Sequence, residues 1–396
     1  MNIQSFSANW NYPTRIRVGA GRVNELANAC KELGMNAPLL VTDPGLAASL
    51  LVGNIVQQCR AAELNIGVFC QIKANPTGEN VMDGVSAYRI GQHDGVIAFG
   101  GGSGLDAAKA IALMVGQNRS LWDFEDVGDN WKRVQVSSMA PVVAIPTTAG
   151  TGSEVGRASV ITDSEQQIKK IIFHPDMLPA IVIMDPELTI GLPAPLTAAT
   201  GMDALSHCLE AYCATYYHPM AEGIALEGMR LIKEYLLRAY QDGKDMEART
   251  NMLVASAMGA TAFQRGLGAM HALAHPLGAL YDAHHGRLNA ILMPYVLLAN
   301  RSVIEEKIIR LANHLSISNG FDGFLDWVLQ MRMELGIEST LSELGIDDAH
   351  IDRIAKMATE DAAAGSNPVI FTQEQYRVIL QDAIGLMINS SSFGVM

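Results

Sequence analysis

Little in this chain would place it outside the cell, in a membrane or on nucleic acid. Its five cysteines, Cys30, Cys59, Cys70, Cys208 and Cys213, form no CxxC pair, and an odd, irregularly spaced set argues against a secreted disulfide framework and for reduced thiols. No stretch approaches the ~20 uninterrupted apolar residues that a membrane-spanning helix requires. The opening MNIQSFSANW has no basic segment followed by an apolar one, so no secretory leader is expected and the protein is placed in the cytoplasm. The net charge of −13 is spread without an acidic tail or a Lys/Arg run, which excludes a nucleic-acid surface and a polybasic membrane patch. Internal repeats and low-complexity segments are also missing. The expected partners are small molecules and copies of the same chain.

What the chain does have is apolar substance: 49% of its 396 residues are hydrophobic. That length exceeds what one core usually organises, so two domains are expected. Up to about residue 187, short apolar runs alternate with helical patterns. Candidate strands are Ala37 to Thr42, Asn65 to Phe69, Gly95 to Phe99, Val142 to Ile145 and Ala180 to Met184, with helical segments such as Val23 to Leu33 and Gly78 to Arg89 between them. Short, continuously apolar strands separated by helices predict a parallel sheet covered on both faces, hence an α/β nucleotide-binding domain. The stretch from Pro186 to Gly201, with its three prolines, reads as the boundary. Beyond it the pattern is helical: 221–240, 248–264, 289–298, 303–314, 321–335, 348–359 and 373–387 can each bury an apolar stripe. The predicted domains are therefore 1–187 and 188–396, with a cleft between them expected to hold the chemistry.

Two loops end apolar strands with unusual chemistry. Gly95–Phe99 runs into Gly100-Gly101-Gly102-Ser103-Gly104 and then a helical pattern; glycines let the backbone approach a diphosphate, and a helix N-terminus points N–H groups at it. Asp106 is a candidate cap for that helix. The loop fits neither GxGxxG nor GxxxxGK[ST], so alone it is a weak signal. After Val142–Ile145 comes Pro-Thr-Thr-Ala-Gly-Thr-Gly-Ser-Glu154, where Thr147, Thr148, Thr151 and Ser153 offer hydroxyls beside permissive glycines. Asp43 closes a third strand, where a carboxylate would accept ribose hydroxyls and repel a 2′-phosphate, pointing to NAD over NADP.

In the helical half, Asp203 and His207 lie four residues apart, followed by His271 and His285. An i, i+4 pair projects from one helical face, and one carboxylate with three imidazoles is a ligand set suited to a divalent first-row ion. An isolated histidine on an apolar helix is usually a hydrogen-bonded core residue; His93, His174, His218, His314 and His350 are read that way.

The windows Thr200-Gly-Met-Asp-Ala-Leu-Ser-His-Cys-Leu-Glu210 and Gly266 to Gly286, with GGGSGLDAAK at 100–109, PTTAGTGSEV at 146–155 and the loop Asn75-Pro-Thr, resemble the metal-dependent group III, or iron-containing, alcohol dehydrogenases over nearly the whole chain. The resemblance implies a Rossmann-like dinucleotide-binding domain followed by an all-helical metal-binding domain, the dehydroquinate synthase-like arrangement. It implies Asp203, His207, His271 and His285 as ligands of a divalent metal, Fe2+ ahead of Zn2+. By the same resemblance His275 stands beside the nicotinamide and substrate as a catalytic residue, and Asp43, Asn75, Gly101, Gly102, Ser103, Thr147, Thr148 and Lys169 contact NAD. The implied reaction is reversible hydride transfer between an alcohol or hydroxy acid and NAD by a homodimer or higher homo-oligomer. Two positions depart from the pattern: Gly104 stands where the family more often has proline, and His284 directly precedes His285. The rival reading is an NAD- and metal-dependent lyase or cyclase on the dehydroquinate synthase-like scaffold. Arg157 and Arg265, just beyond the motifs, are candidates for binding a substrate carboxylate, against a solvated surface role.

Overall fold

A computed structural model describes residues 14–385 and Ile388. Contacts divide the chain into two compact units, parted between Leu192 and Pro193; residues 188–192, assigned to the helical half from sequence, stay with the first unit.

The first unit is built on strands β1 (Arg15–Val18), β2 (Pro38–Val41), β3 (Gly67–Phe69), β4 (Gly95–Gly100), β5 (Val142–Pro146), β6 (Ala158–Asp163), β7 (Ile168–Phe173) and β8 (Ile181–Met184). Six of them form one sheet in the order β1-β8-β5-β4-β2-β3, every adjacent pair parallel. Every residue of β2, β4, β5 and β8 is buried, as expected of strands whose two faces are both covered by helices. Those helices are α1 (Leu26–Glu32), the short α2 (Pro44–Ala47), α3 (Leu50–Ala61), α4 (Gly78–Ile90) and α5 (Gly102–Met114). Leu40, Ile97, Phe99, Val143, Ile145, Ile181 and Ile183 from the sheet join Leu26, Ala29, Val52 and Ile55 from the helices in one core. The chain passes from β3 to β4 across β2, so the C-terminal ends of β2 and β4 flank the topological switch point, where open α/β sheets bind ligands.

Three strands are missing from the sequence reading. In β1 two arginines alternate with apolar residues, and Arg17 is neutralised by Glu25 at 3.1 Å and Glu32 at 2.5 Å. The antiparallel hairpin of β6 and β7 carries two adjacent lysines, Lys169 and Lys170. Strand alternation separates them: Lys170 reaches Asp163 at 3.0 Å, whereas the Lys169 ammonium donates to Asn75 Oδ1 at 2.9 Å.

The second unit is helical: α6 (Ala194–Cys213), α7 (Pro219–Gln241), α8 (Met246–Ala262), α9 (Ala269–Tyr281), α10 (His285–His314), α11 (Gly320–Glu334), α12 (Ile351–Glu360) and α13 (Gln373–Gly385). α6 starts inside the proline-rich stretch read as a boundary, because Pro195 occupies a first-turn position where proline is tolerated. The two helices expected over 289–298 and 303–314 are one, α10, continuous through Pro294 and the polar run Asn300-Arg301-Ser302. α13 is described as far as Gly385; the last two residues of the helix expected there, 386 and 387, lie outside the described residues. Among the described residues no helix is long and apolar enough to cross a membrane.

Candidate metal centre and dinucleotide loops

Three helices deliver the metal candidates. Asp203 and His207 project one turn apart from α6, His271 lies in the first turn of α9, and His285 is the first residue of α10. One possible ligand atom from each lies within 4.8 Å of the other three. Tetrahedral ligands at about 2.0–2.2 Å from one ion stand about 3.3–3.6 Å apart, so the four atoms need only draw in around an ion to complete a shell. Asp203, His207 and His271 are buried and His285 is partly so. The His207 and His271 rings stack with centroids 4.7 Å apart, and the His285 ring is 5.2 Å from that of His271. The helices can close in because of glycine: a Cβ on Gly286 would lie 2.2 Å from the Ala199 carbonyl oxygen on α6. His284 is the exposed cap residue before α10 and is not among the four.

Two carboxylates missed in the sequence orient the histidines. Glu210 sits seven residues beyond Asp203, on the same face of α6. Its carboxylate accepts the N–H groups of Gly268 at 2.8 Å and Met270 at 2.7 Å, and lies 2.6 Å from His271 Nδ1. It therefore holds the start of α9, where a negative charge is favoured, and fixes the proton on Nδ1 so that Nε2 presents its lone pair. Metal-bound histidines are commonly held this way. Burial disfavours the charged form of His271, but Glu210, with Asp203 and Asp361, more than offsets this, and the net direction is upward. Asp361, beyond α12, does the same for His275: its Oδ2 lies 2.8 Å from His275 Nδ1 while Oδ1 accepts the Ala363 N–H at 2.8 Å. Burial would raise the Asp361 carboxyl; the His275 imidazole, the Ala363 N–H and His271 together hold it below the usual carboxylate range. The His275 ring stacks on His285 at 5.6 Å, beside the four and not among them.

In the first unit the predicted cofactor residues gather at the C-terminal ends of β2, β4 and β5. The Thr147 N–H donates to the Gly100 carbonyl at 2.9 Å, and a Cβ on Gly101 would lie 3.2 Å from the Thr148 side chain. A Cβ on Gly102 would sit 2.4 Å from Thr151 Oγ1, so only glycine allows the two loops to approach this closely. The Ser103 hydroxyl donates to the Ala74 carbonyl, which brings the Asn75 loop and Lys169 to the same end of the sheet. Asp43 Oδ1 caps α2 through the Leu46 N–H at 2.9 Å, and a Cβ on Gly100 would lie 3.9 Å from Oδ2. No side chain caps α5, leaving its first turn suited to a phosphate. Asp106 is not the cap expected from sequence; buried, it accepts Ser153 Oγ at 2.5 Å and the Val160 N–H at 3.0 Å, and pairs with Lys109 at 3.3 Å. Ser153 is thereby turned away from the ligand role suggested for it.

Arg265 is not a free carboxylate binder. Its guanidinium donates to the carbonyls of Tyr216, Ala211 and Tyr212 and pairs with Glu222 at 2.8 Å, closing the C-terminal end of α6. Arg157 stacks over Phe173, 5.6 Å from the ring centre.

Comparison with known proteins settles the family. Residues 13–186 match the model for iron-containing alcohol dehydrogenase, and residues 197–384 match that for the C-terminal part of the Fe-containing alcohol dehydrogenase family. The chain belongs to the iron-containing alcohol dehydrogenase family. It is 37% identical to 4-hydroxybutyrate dehydrogenase of Cupriavidus necator, over 94% of this chain and 99% of that one. It is 35% identical to the NAD-dependent methanol dehydrogenase of Bacillus methanolicus, over 95% of this chain and 100% of that one. The crystal structure of a 1,3-propanediol oxidoreductase superposes with a TM-score of 0.90 at 33% identity, covering 95% of this chain and 100% of the other. The protein is an NAD-dependent, metal-dependent alcohol oxidoreductase, and the lyase or cyclase reading is not favoured by these relatives.

Proposed function

We propose that this enzyme oxidises a short primary alcohol or diol reversibly with NAD, using an Fe2+ ion held by Asp203, His207, His271 and His285. One observation carries the reading: four chemically compatible donor atoms from three separate helices converge within 4.8 Å. When bound, the ion supplies positive charge that favours the deprotonated alcohol and polarises the carbonyl in reverse, and the nicotinamide supplies the hydride acceptor. Glu210 holds His271 in the tautomer that leaves Nε2 for the ion. Asp361 holds His275 Nδ1, so that Nε2 is available to accept the hydroxyl proton and pass it to solvent. Asp43, Asn75, Gly101, Gly102, Ser103, Thr147, Thr148 and Lys169 hold the dinucleotide, and Asp43 selects NAD by its charge.

The propanediol and methanol enzymes named above support a small neutral substrate, as does the commitment of Arg265 to backbone carbonyls. A four-carbon hydroxy acid is the second reading, supported by the identity with the Cupriavidus enzyme. Five unpaired thiols support a reducing, cytoplasmic setting. The exposed side chains of Tyr216, Tyr217 and Met220 support association of the chain with copies of itself.

Metal-stripped enzyme reloaded with Fe2+ or Zn2+, assayed for NADH formation on alcohols, diols and hydroxy acids, tests substrate and metal together. Fe2+ should restore the higher turnover, with 1,3-propanediol or a short alcohol ahead of 4-hydroxybutyrate. Asp203→Ala combined with His271→Ala should lose both bound metal and turnover, and full activity in that variant would end the proposal. His275→Ala should keep the metal and lose turnover.

A further inference from the structure

We propose that Asn289 is a positioning residue of the metal centre, its side-chain amide donating to Asp203 Oδ1 and holding that carboxylate in place for the ion. The inference rests on the reading of those side chains as metal ligands. Asn289 lies on α10 one turn beyond His285 and is fully buried. Its Nδ2 is 2.9 Å from Asp203 Oδ1, 3.1 Å from His285 Nε2 and 3.3 Å from His271 Nε2. One amide nitrogen thus meets a ligand atom from each of three helices, α6, α9 and α10.

Charge decides which way the amide points. An ionised carboxylate oxygen only accepts hydrogen bonds, so the opposite orientation would set the Asn289 oxygen against Asp203 Oδ1 at the same 2.9 Å. His271 Nε2 and His285 Nε2 each have one lone pair, which would go to the ion when it is bound, so Asp203 Oδ1 is the acceptor that keeps its bond to the amide. The donor side of the amide therefore faces the carboxylate. The other side is left without compensation: Asn289 Oδ1 is buried and has no hydrogen-bond partner among the described residues. An orphaned buried carbonyl is costly, and its retention indicates that the arrangement is set by the N–H groups. A residue chosen only to fill space would carry no amide here.

The same arrangement separates two jobs within α10. His285 contributes a ligand atom directly, whereas Asn289 steers the Asp203 carboxylate on α6 so that its oxygen faces the point on which the imidazoles converge. Outer partners of this kind typically change metal affinity 10- to 100-fold when removed.

The test is titration of metal-stripped enzyme with Co2+ alone against a chromophoric chelator, following the visible Co2+ spectrum, for wild type, Asn289→Leu, Asn289→Ala and His207→Ala. Thermal unfolding of each stripped protein is recorded alongside. Asn289→Leu keeps the volume and removes the donor; it should bind Co2+ about 10- to 100-fold more weakly with a shifted spectrum, while its stripped form melts close to wild type. Should that variant not fold, Asn289→Ala gives the same reading of the lost donor. Wild-type affinity and spectrum in a folded Asn289 variant, with binding lost in His207→Ala, would overturn the role of Asn289 alone. Undiminished binding in His207→Ala would instead overturn the metal reading beneath it.

Discussion

Replacing Glu210 with glutamine removes one charge and one acceptor from a group that the structure uses three times. The carboxylate accepts from Gly268 N and Met270 N and holds His271 Nδ1, at 2.8, 2.7 and 2.6 Å. A glutamine amide has one oxygen. With its nitrogen in the place of Oε1, the new donor faces the Met270 N–H; with its nitrogen in the place of Oε2, it faces the Gly268 N–H and forces His271 to carry its proton on Nε2, away from Glu210 and toward the ligand cluster. The first orientation loses one charge-assisted hydrogen bond, worth about 1.5–3 kcal/mol, and weakens the grip on Nδ1; the second blocks the metal-facing lone pair altogether. Either outcome lowers metal affinity, by about 10- to 100-fold in the milder case. Competition of the stripped variant with a chelator for Co2+ measures it, and turnover should recover when metal is supplied in excess. Unchanged affinity in folded Glu210→Gln would refute the orienting role.

Three further perturbations have defined outcomes. Asp43→Ser keeps a capping oxygen for α2 but removes the charge beside the loop, so KM for NADP should fall relative to that for NAD with bound metal unchanged; an unaltered preference would remove Asp43 from cofactor selection. Arg265→Ala removes the donor to three carbonyls and one partner of Glu222, which keeps Lys307 at 3.4 Å, and should cost about 1–3 kcal/mol, read as a lowered Tm, without changing the selectivity between alcohols and hydroxy acids in the enzyme that remains folded. Burial raises the Glu154 carboxyl to about 7 from its ordinary 4.5, so the folded chain keeps this proton to higher pH than the unfolded one. The destabilising contribution is absent below 4.5 and grows as pH rises through 7. Glu154→Gln should then gain up to about 3 kcal/mol at pH 8 and little at pH 5; a pH-independent difference in Tm between the two proteins would contradict this.

The parallel sheet was legible because β2, β4, β5 and β8 are unbroken apolar runs, and their loops announced themselves through glycine and threonine. β1 and β7 were not, because their charged residues interrupt the apolar pattern and are held by partners that only the fold brings near: Arg17 by Glu25 and Glu32, Lys170 by Asp163, and Lys169 by Asn75. The four metal candidates were visible through the spacing of Asp203 and His207 and the company of His271 and His285. Glu210 could have been found, since it continues the Asp203 face by two turns, and Asn289 could have been found one turn beyond His285. Asp361 could not: it lies 86 residues from His275 on no shared element, and only the fold brings it there. Arg265 misled because a lone arginine beside a motif looks the same whether it awaits a substrate or closes a helix.

Diffraction from crystals of the metal-loaded protein at the absorption edge of the ion tests the quartet most directly. A single anomalous peak about 2.0–2.2 Å from one oxygen of Asp203 and one nitrogen each of His207, His271 and His285 is the expected result. A peak at another cluster, or one that leaves two of these four side chains beyond bonding distance, would contradict it.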